Sequence, residues 1–371
     1  MELFAQEMFQ SQFVITERCN LVCRYCYMRN RHNDMTTEVF RESFNFIENY
    51  LKNVMSSQPN ERSLVAFFGG EPLLNMGLIE DNFDFLRQNP KTMPTNGILL
   101  NETILNKLLD NQVSVNISFD GDYGNLNNRI SAAGKTETLS LFKTLQFNYM
   151  RKHNCKTMLY PNMFPHLKEI YLFFLKEDIN FPDFTLVRDN IYTDLDIVTF
   201  DKNIRDLTEV VIDTFKSKKV SLPGLYSLYI LDTLAYTRQG KRPFGCFAGT
   251  HGVGIMPNGK IYPCARFGSE GLFEIADIST GKVNYEYLNF FKRLSNPQDF
   301  PKCKQCKLYN VCNAGCSFSQ LKFGGWSEMK PVDSVCELLK ISYREAFKVY
   351  KALKNNDKFI DFLNHKLRRN N

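Results

Sequence analysis

The sequence predicts an α/β protein that consists of a partial (β/α)6 TIM-like barrel, a small cysteine-rich domain and a C-terminal helix. Up to about residue 215, short apolar runs alternate with longer amphipathic stretches, which is typical of parallel strands joined by helical crossovers. Glycine, proline and cysteine then become dense, and the last part again has helical spacing. The predicted units are the barrel over residues 1–215, a connector over 216–240, the cysteine-rich domain over 241–340 and the C-terminal helix over 341–371.

Six strand–helix units fit a part-closed barrel better than a complete eight-unit one. The strands are predicted at Gln12–Thr16, Ser63–Phe68, Thr92–Thr95, Val113–Phe119, Lys156–Tyr160 and Phe184–Val187. The helices are predicted at Thr37–Asn53, Met76–Gln88, Glu102–Asn111, Glu137–Arg151, His166–Glu177 and Asn203–Lys218, after which regularity stops. Later, Pro257-Asn258-Gly259 predicts the turn of a hairpin over Gly254–Tyr262. The spacing of apolar residues over Leu338–Asn364 predicts one amphipathic helix.

Composition excludes several classes of protein. The chain has 371 residues and a formal net charge of +6, which is too small to indicate a nucleic-acid partner. It has no secretory signal and no apolar run of about 18 residues, so we expect a cytoplasmic protein without a membrane partner. Its eleven cysteines are an odd number, and in a chain without an export signal they favour metal sites over disulfides.

The first cysteine group is Cys19-Asn-Leu-Val-Cys23-Arg-Tyr-Cys26, directly after the first strand. It therefore lies on a loop at the C-terminal mouth of the predicted barrel, where barrel enzymes place their chemistry. Three thiolates within eight residues can face one iron–sulfur cube and leave its fourth iron without a protein ligand. A structural zinc site, the alternative, normally takes four protein ligands, and no fourth Cys or His lies nearby. The pattern favours a catalytic iron–sulfur cluster.

With Tyr25 as its aromatic residue, this C-x3-C-x-aromatic-C motif resembles the hallmark of the radical S-adenosylmethionine (SAM) superfamily. The similarity continues at Phe68-Gly69-Gly70-Glu71-Pro72, which resembles the GGEP motif of that family, and at the ends of later strands. The resemblance implies that Glu71 receives the ammonium of SAM and that Arg129 pairs with its carboxylate. It implies cofactor-binding roles for Tyr25, Gly69, Gly70, Glu71, Pro72, Asn96, Ser118, Asp120, Arg129 and Ile191.

The second cysteine group resembles the seven-cysteine SPASM domain, which holds two auxiliary iron–sulfur clusters in relatives. The resemblance assigns Cys303, Cys306, Cys312 and Cys336 to the distal cluster and Cys246, Cys264 and Cys316 to the proximal one. Together with Cys19, Cys23 and Cys26 this gives three [4Fe-4S] clusters, with a pair of zinc ribbons as the alternative. The proximal set is one ligand short, and His251, a fixed water or a substrate thiolate could complete it. Cys155 has no partner nearby in the sequence and is predicted to be structural.

The reaction implied by the resemblance is reductive cleavage of SAM, after which a 5′-deoxyadenosyl radical abstracts hydrogen from the substrate. The leading hypothesis is a maturase that forms a thioether or another crosslink in a ribosomally synthesised peptide. The alternative is an anaerobic sulfatase-maturating enzyme that makes formylglycine. Such relatives carry an aspartate base after the cysteine that matches Cys264, whereas this chain has Ala265. A non-catalytic zinc or electron-transfer module is the third hypothesis.

Several partners follow from the same resemblance. We expect a precursor peptide as substrate and a flavodoxin or ferredoxin as electron donor. Only 18 residues precede Cys19, so the leader of the peptide is expected to bind the barrel and SPASM surfaces or a separate leader-peptide-binding protein. The five histidines form no recognisable acid–base pair, and the sequence names no catalytic base.

Overall fold

The computed structural model describes residues 8–28, 32–55, 62–133, 138–153, 155–179, 182–217, 221–240, 246–294, 300–312, 315–326 and 328–369. Its strands are β1 (Gln10–Thr16), β2 (Leu21–Cys23), β3 (Leu64–Gly69), β4 (Lys91–Thr95), β5 (Val113–Ser118), β6 (Arg129–Ser131), β7 (Cys155–Leu159), β8 (Pro182–Leu186), β9 (Gly252–Ile255), β10 (Lys260–Tyr262), β11 (Ala276–Asp277) and β12 (Lys282–Val283). Ten of them form one sheet in the order β12-β11-β10-β9-β1-β3-β4-β5-β7-β8, and β2 pairs with β6 in a second, small sheet.

Helices follow most of the strands. They are α1 (Thr37–Phe46), α2 (Lys52–Met55), α3 (Met76–Asp81), α4 (Glu102–Asp110), α5 (Gly121–Asn128), α6 (Thr144–Lys152), α7 (Leu167–Lys176), α8 (Asp194–Lys216), α9 (Gly224–Gln239), α10 (Ala265–Glu270), α11 (Tyr285–Leu294), α12 (Pro301–Lys304), α13 (Ser317–Phe323), α14 (Asp333–Leu353) and α15 (Asp357–Arg369). A π-helical turn joins α1 to α2, and short 3-10 segments precede α3, α6 and α7. Among the described residues, every helix is too short or too polar to span a membrane.

The parallel sheet confirms the predicted fold class. The six strands β1, β3, β4, β5, β7 and β8 pair in parallel in that order, so their carboxyl ends meet at one edge. β1 also pairs in parallel with β9, and β9 and β10 form the predicted hairpin. The sheet of the partial barrel thus continues into the cysteine-rich segment. This continuity brings the second cysteine group to the side of the barrel where β1 and the first group lie.

All six predicted barrel strands are present, with ends shifted by one or two residues, but several helix predictions were wrong in extent. α3 ends at Asp81 and turns replace its predicted continuation to Gln88. α6 begins at Thr144, and the predicted start Glu137 lies outside the described residues. α8 begins well before Asn203, because the Thr193 hydroxyl and the Asp196 carboxylate cap each other's backbone N–H groups.

The connector and the C-terminal helix also differ from prediction. Residues 224–239, predicted to be irregular, form helix α9, which packs against β8, α14 and α15. A helix covered on several sides is apolar around most of its surface and lacks the amphipathic period that marks a helix in sequence. The single helix predicted at Leu338–Asn364 is two, α14 and α15, separated at residues 354–356.

Asp232 on α9 makes the packing of α9 against α14 dependent on pH. Its carboxyl lies beside the Tyr343 hydroxyl and the Arg188 guanidinium, and burial raises its pKa from 3.8 to about 7. Because the folded state holds this proton more tightly than the unfolded chain, stability falls as the pH rises from about 4 to about 7, and the loss is complete above that range.

We therefore expect Asp232→Asn, which carries no charge at any pH, to gain stability relative to wild type as the pH rises. Between pH 5.5 and 8 the gain should be about 1–2 kcal/mol in the free energy of unfolding. Anaerobic urea unfolding followed by circular dichroism at both pH values measures it. Parallel pH profiles for the two proteins would contradict the raised pKa.

Candidate active site at the mouth of the barrel

The first cysteine loop is held against the end of helix α5. β2, which includes Cys23, pairs antiparallel with β6, and Cys23 lies opposite Arg129. The backbone N–H of Arg24 donates to the carbonyl of Asn128 at 2.9 Å, and that of Cys26 to the carbonyl of Cys23 at 3.0 Å. The loop therefore turns tightly beside Arg129, at the carboxyl edge of the parallel strands.

The three thiols of this loop lie close enough to interact. Burial raises the pKa of Cys19 to about 11 and that of Cys23 to about 12, and it raises the pKa of Cys26 as well. Charges on Cys19 and Cys26 oppose ionisation of Cys23, whereas the charge of Arg129 favours it. Three thiolates this close together repel one another unless positive charge lies among them. An iron–sulfur cluster supplies that charge, so this donor set fits a cluster.

Gly69 and Gly70 allow β3 to end against β1 and the cysteine loop. Gly69 has φ +152°, and a Cβ there would lie 2.3 Å from the carbonyl oxygen of Thr16. A Cβ on Gly70 would lie 2.3 Å from the carbonyl oxygen of Arg18. No side chain fits at either position without moving backbone. The two glycines thus set the distance between the Gly-Gly-Glu-Pro segment and the first cysteine loop.

Glu71 joins the ends of two neighbouring strands. Its carboxylate accepts hydrogen bonds from the Leu73 N–H at 3.1 Å, the Thr95 hydroxyl at 2.7 Å and the Asn96 N–H at 2.7 Å. The residue is fully buried, and burial raises its pKa, although the three hydrogen bonds and the charge of Arg129 act in the opposite direction. Pro72, next in the chain, opens the 3-10 turn before α3.

Asp120 and Arg129 form a buried ion pair below the cysteine loop. Arg129 Nε and Nη2 donate to the two carboxylate oxygens of Asp120 at 2.9 and 3.2 Å. The Tyr25 hydroxyl donates to the same carboxylate, and the guanidinium lies 5.6 Å from the centre of the Tyr25 ring. Asp120 is completely buried and also accepts from the Met158 N–H at 2.8 Å. The pair positions Arg129 and Tyr25 together.

The other predicted cofactor contacts lie on the same edge. Asn96 follows β4 and donates from its side chain to Asn20 at 2.6 Å, which ties β4 to the first loop. Ser118 ends β5. Ile191 lies in the loop after β8 and is 61% exposed. The structure thus brings nine of the ten predicted contacts around the cysteine loop, with Ile191 at the rim; their role in binding SAM stays a prediction.

The structure also brings the second cysteine group together in two sets. Burial raises the pKa of Cys264 to about 12, and the charges of Cys246 and Cys316 raise it further. Burial likewise raises the pKa of Cys336 to about 11, with added contributions from Cys312 and Cys303. Cys306 in turn acts on Cys303. The interacting thiols divide in the same way as the predicted proximal and distal sets, and their role as cluster ligands stays a prediction.

The distal set lines a cavity of about 800 Å³ between the cysteine-rich segment and α14. Within the described ranges, no three Cys, His, Asp or Glu side chains converge as they would on a single metal ion. Thiols that line a cavity fit a multinuclear cluster, which takes its ligands on separate irons.

The position of Cys264 depends on the hairpin. A Cβ on Gly254 in β9 would lie 2.3 Å from the backbone of both Cys264 and Ala265. The Ala265 N–H donates to the Gln12 side chain on β1 at 3.1 Å. His251 lies in the turn before β9, where its carbonyl accepts from the Gln10 N–H at 2.8 Å. The proximal set is therefore anchored directly to the first barrel strand.

Sequence reasoning missed one charged group at this site. Arg266 pairs with Asp189, which follows β8, and lies over the ring of Tyr27. Two of the three residues are near cysteine motifs, Tyr27 next to Cys26 and Arg266 two residues after Cys264. Their closeness to the cysteine motifs was the sequence feature that could have indicated Tyr27 and Arg266 as site residues.

Comparison with known proteins agrees with this geometry. The Radical SAM superfamily model matches residues 13–162. The radical SAM cyclopropyl synthase TigE of Paramaledivibacter caminithermalis is 23% identical over 356 residues, covering 90% of this chain and 72% of TigE. A cysteine-type anaerobic sulfatase-maturating enzyme of Clostridium perfringens is 24% identical over 339 residues, covering 80% of this chain and 85% of that enzyme.

The solved structure of anSMEcpe with bound AdoMet has a TM-score of 0.73 at 20% identity and covers 97% of this chain and 98% of that one. The same protein has been solved with AdoMet and the Cp18Cys peptide, with a TM-score of 0.68.

The barrel, its cysteine loop and these matches define an enzyme of the radical SAM superfamily, to which the chain belongs. Membership implies S-adenosylmethionine and a [4Fe-4S] cluster as cofactors. Within the superfamily the relatives are of the SPASM type, and this chain is a SPASM-subgroup radical SAM enzyme.

Proposed function

We propose that this enzyme is a maturase that forms a thioether or another crosslink in a ribosomally synthesised peptide. The observation that carries the proposal is the proximal set of three thiols, Cys246, Cys264 and Cys316, beside Ala265. Ala265 stands where sulfatase-maturating relatives carry their aspartate base. It is buried, and its methyl group cannot accept a proton. The proposal also draws on the structure of anSMEcpe with a bound peptide.

We assign the loop residues Cys19, Cys23 and Cys26 to the cluster that membership implies. When bound there, the cluster supplies the electron that cleaves SAM. Glu71 and Arg129 are proposed to bind the ammonium and the carboxylate of SAM, with Asp120 fixing the orientation of Arg129. The strand ends that carry these side chains surround the cysteine loop and limit access of water to the reacting atoms.

The proximal set has three thiols, one fewer than a four-iron cluster takes, and we propose that a cysteine of the substrate supplies the fourth ligand. Such a cysteine would lie next to the barrel mouth, because the Ser269 hydroxyl on α10, the helix after Cys264, donates to the carbonyl of Tyr27 beside the first cysteine loop at 2.9 Å. This arrangement favours a thioether product over a carbon–carbon bond. A carbon–carbon crosslink is the alternative product, because the relative TigE is described as a cyclopropyl synthase.

The iron content should be about twelve per chain, corresponding to three four-iron clusters. Anaerobic reconstitution followed by iron, sulfide and zinc analysis measures it. A Cys303→Ala, Cys306→Ala double variant should lose about four irons and keep the rest, because it removes two thiols of the distal set alone. A reproducible value near four irons together with bound zinc would contradict two auxiliary clusters and support the zinc alternative.

The function is tested with a precursor peptide encoded beside this gene, co-expressed with the enzyme or added to the purified protein. We expect loss of two hydrogens per crosslink by mass spectrometry and a change in the cluster spectra when the peptide binds. A peptide with its cysteines changed to serine should leave the spectra unchanged and stay unmodified. Full modification of the serine peptide would refute the substrate-cysteine arrangement.

Sulfatase maturation is the second candidate, because the similarity to a sulfatase-maturating enzyme extends over 80% of this chain. A sulfatase-derived peptide with a central cysteine distinguishes the two functions. Conversion of that cysteine to formylglycine at a rate comparable with turnover of the precursor peptide would favour this candidate. We also propose a flavodoxin or ferredoxin as electron donor and a separate leader-binding protein, both testable by co-purification.

A further inference from the structure

Three side chains from different parts of the chain meet between the two cysteine groups. Arg266 Nη1 lies 2.8 Å from Asp189 Oδ1, across from helix α10 to the loop that follows β8. The guanidinium of Arg266 lies 4.3 Å from the centre of the Tyr27 ring, next to Cys26. The carboxylate and the ring therefore hold the guanidinium from two sides.

The guanidinium lies between the two cysteine groups. On one side it contacts the ring of Tyr27, the residue after Cys26. On the other side Arg266 belongs to α10, the helix that begins directly after Cys264. A substrate that reacts at the barrel mouth and contacts the proximal set would therefore lie beside Arg266.

Arg266 has more donors than partners. A guanidinium carries five N–H groups in a planar fork, and Asp189 is the one ion-pair partner found for it in the described part of the chain. The Arg266 side chain is 22% exposed and that of Asp189 10%. Arg266 Nη1 and Asp189 Oδ1 are both buried without a well-directed hydrogen bond. A buried donor without a good hydrogen bond costs free energy, and the exposed part of the guanidinium is open to a ligand.

We propose that Arg266 binds a carboxylate of the substrate peptide, so that the enzyme selects a peptide with an acidic residue beside the residue it modifies. Asp189 and Tyr27 are the positioning residues, which orient the guanidinium of Arg266 towards the substrate. The inference rests on the proposed function only in taking a peptide as the substrate.

A carboxylate is the group that this site fits best. Two parallel N–H donors of a guanidinium match the two oxygens of a carboxylate. The surrounding thiols are anionic when they bind metal, and they would repel an acidic peptide without a positive charge between them. Arg266 supplies a positive charge beside both cysteine groups.

The test compares two fluorescein-labelled peptide pools that share a central cysteine and differ in having either Asp or Asn at the randomised flanking positions. Anaerobic fluorescence anisotropy with the reconstituted enzyme and SAM gives the affinity for each pool. We expect wild type to bind the Asp pool about tenfold more tightly than the Asn pool. Arg266→Gln should bring that ratio close to one, and Arg266→Lys should keep part of it, because lysine keeps the charge and loses the fork.

Arg41→Gln is the matched control. Arg41 also lies over an aromatic ring, 5.4 Å from the centre of Phe85, and donates to the side chain of Asn82 at 2.9 Å. It lies on α1, away from the cysteine groups, so its replacement should leave the ratio at the wild-type value. Because each ratio is measured within one protein, a smaller folded fraction lowers both signals and leaves the ratio unchanged.

Equal binding of the two pools by wild type overturns the inference, and so does an Asp preference that survives in Arg266→Gln. Failure of wild type to bind either pool overturns it as well. In all three cases the proposed function is judged separately by modification of the precursor peptide. A role of Arg266 confined to neutralising the clusters would change the cluster spectra in Arg266→Gln and leave the Asp-to-Asn ratio at its wild-type value.

Discussion

Replacing Cys19, Cys23 and Cys26 together by alanine should abolish reductive cleavage of SAM. The three thiols lie on one short loop at the barrel mouth and oppose one another's ionisation, and without the cluster assigned to them no electron would reach SAM. A fall of at least about a thousandfold in 5′-deoxyadenosine formation is expected, since the cofactor carries the difficult step. Iron analysis of the same protein should show about eight irons remaining, because both auxiliary sets keep their ligands.

Cys155→Ala is the matched control for this variant. Cys155 is also a buried cysteine, at the start of β7, but it belongs to none of the three sets. Its replacement should leave both 5′-deoxyadenosine formation and iron content at wild-type values, with a small loss of stability from the cavity left behind. Cleavage of SAM by the triple variant at more than a few per cent of the wild-type rate would show that another set of ligands holds the reducing cluster.

The barrel could be predicted from sequence because its strands are short apolar runs between amphipathic helices. Helix α9 could not. Its residues Leu225, Tyr226, Ile230 and Leu231 are all buried, and a helix with neighbours on several sides has no polar face to reveal its period. The early start of α8 was also missed, although the Thr193–Asp196 capping box is visible in the sequence. The division of the C-terminal helix was missed as well, although Asn356, whose side chain accepts from the Phe359 N–H at the start of α15, is visible in the sequence.

In the candidate site, too, some features could be predicted from the sequence and others could not. The spacing of Cys19, Cys23 and Cys26 was sufficient to group those three thiols. The division of the second group came from the resemblance to the SPASM domain, since Cys246 and Cys316 lie far apart in sequence. The bracing of Glu71 by Thr95 and Asn96 and the pairing of Arg129 with Asp120 are contacts that only the fold establishes. The contact between Arg266 and Asp189 joins the cysteine-rich segment to the loop after β8. No pattern in the sequence links two single residues so far apart, even though each lies close to a recognisable motif.

Arg129→Ala should weaken SAM binding and also destabilise the protein, and the two effects can be separated with Asp120→Asn. Arg129→Ala leaves the Asp120 carboxylate completely buried without its counter-charge, which costs about 3–5 kcal/mol in the free energy of unfolding. Asp120→Asn also breaks the ion pair but keeps the guanidinium that is proposed to bind the carboxylate of SAM. Both variants should therefore lose stability, whereas the affinity for SAM should fall by about a hundredfold in Arg129→Ala and by less in Asp120→Asn.

Isothermal titration with SAM and anaerobic urea unfolding of both variants and of the double variant complete a mutant cycle. The cycle isolates the coupling between the two side chains, since each single variant removes the same contact. The double variant should be more stable than Arg129→Ala, because it no longer buries an unpaired charge. It should still bind SAM as weakly as Arg129→Ala, because the guanidinium remains absent. Wild-type affinity for SAM in Arg129→Ala would show that Arg129 serves the ion pair with Asp120 alone and that the cofactor carboxylate is bound elsewhere.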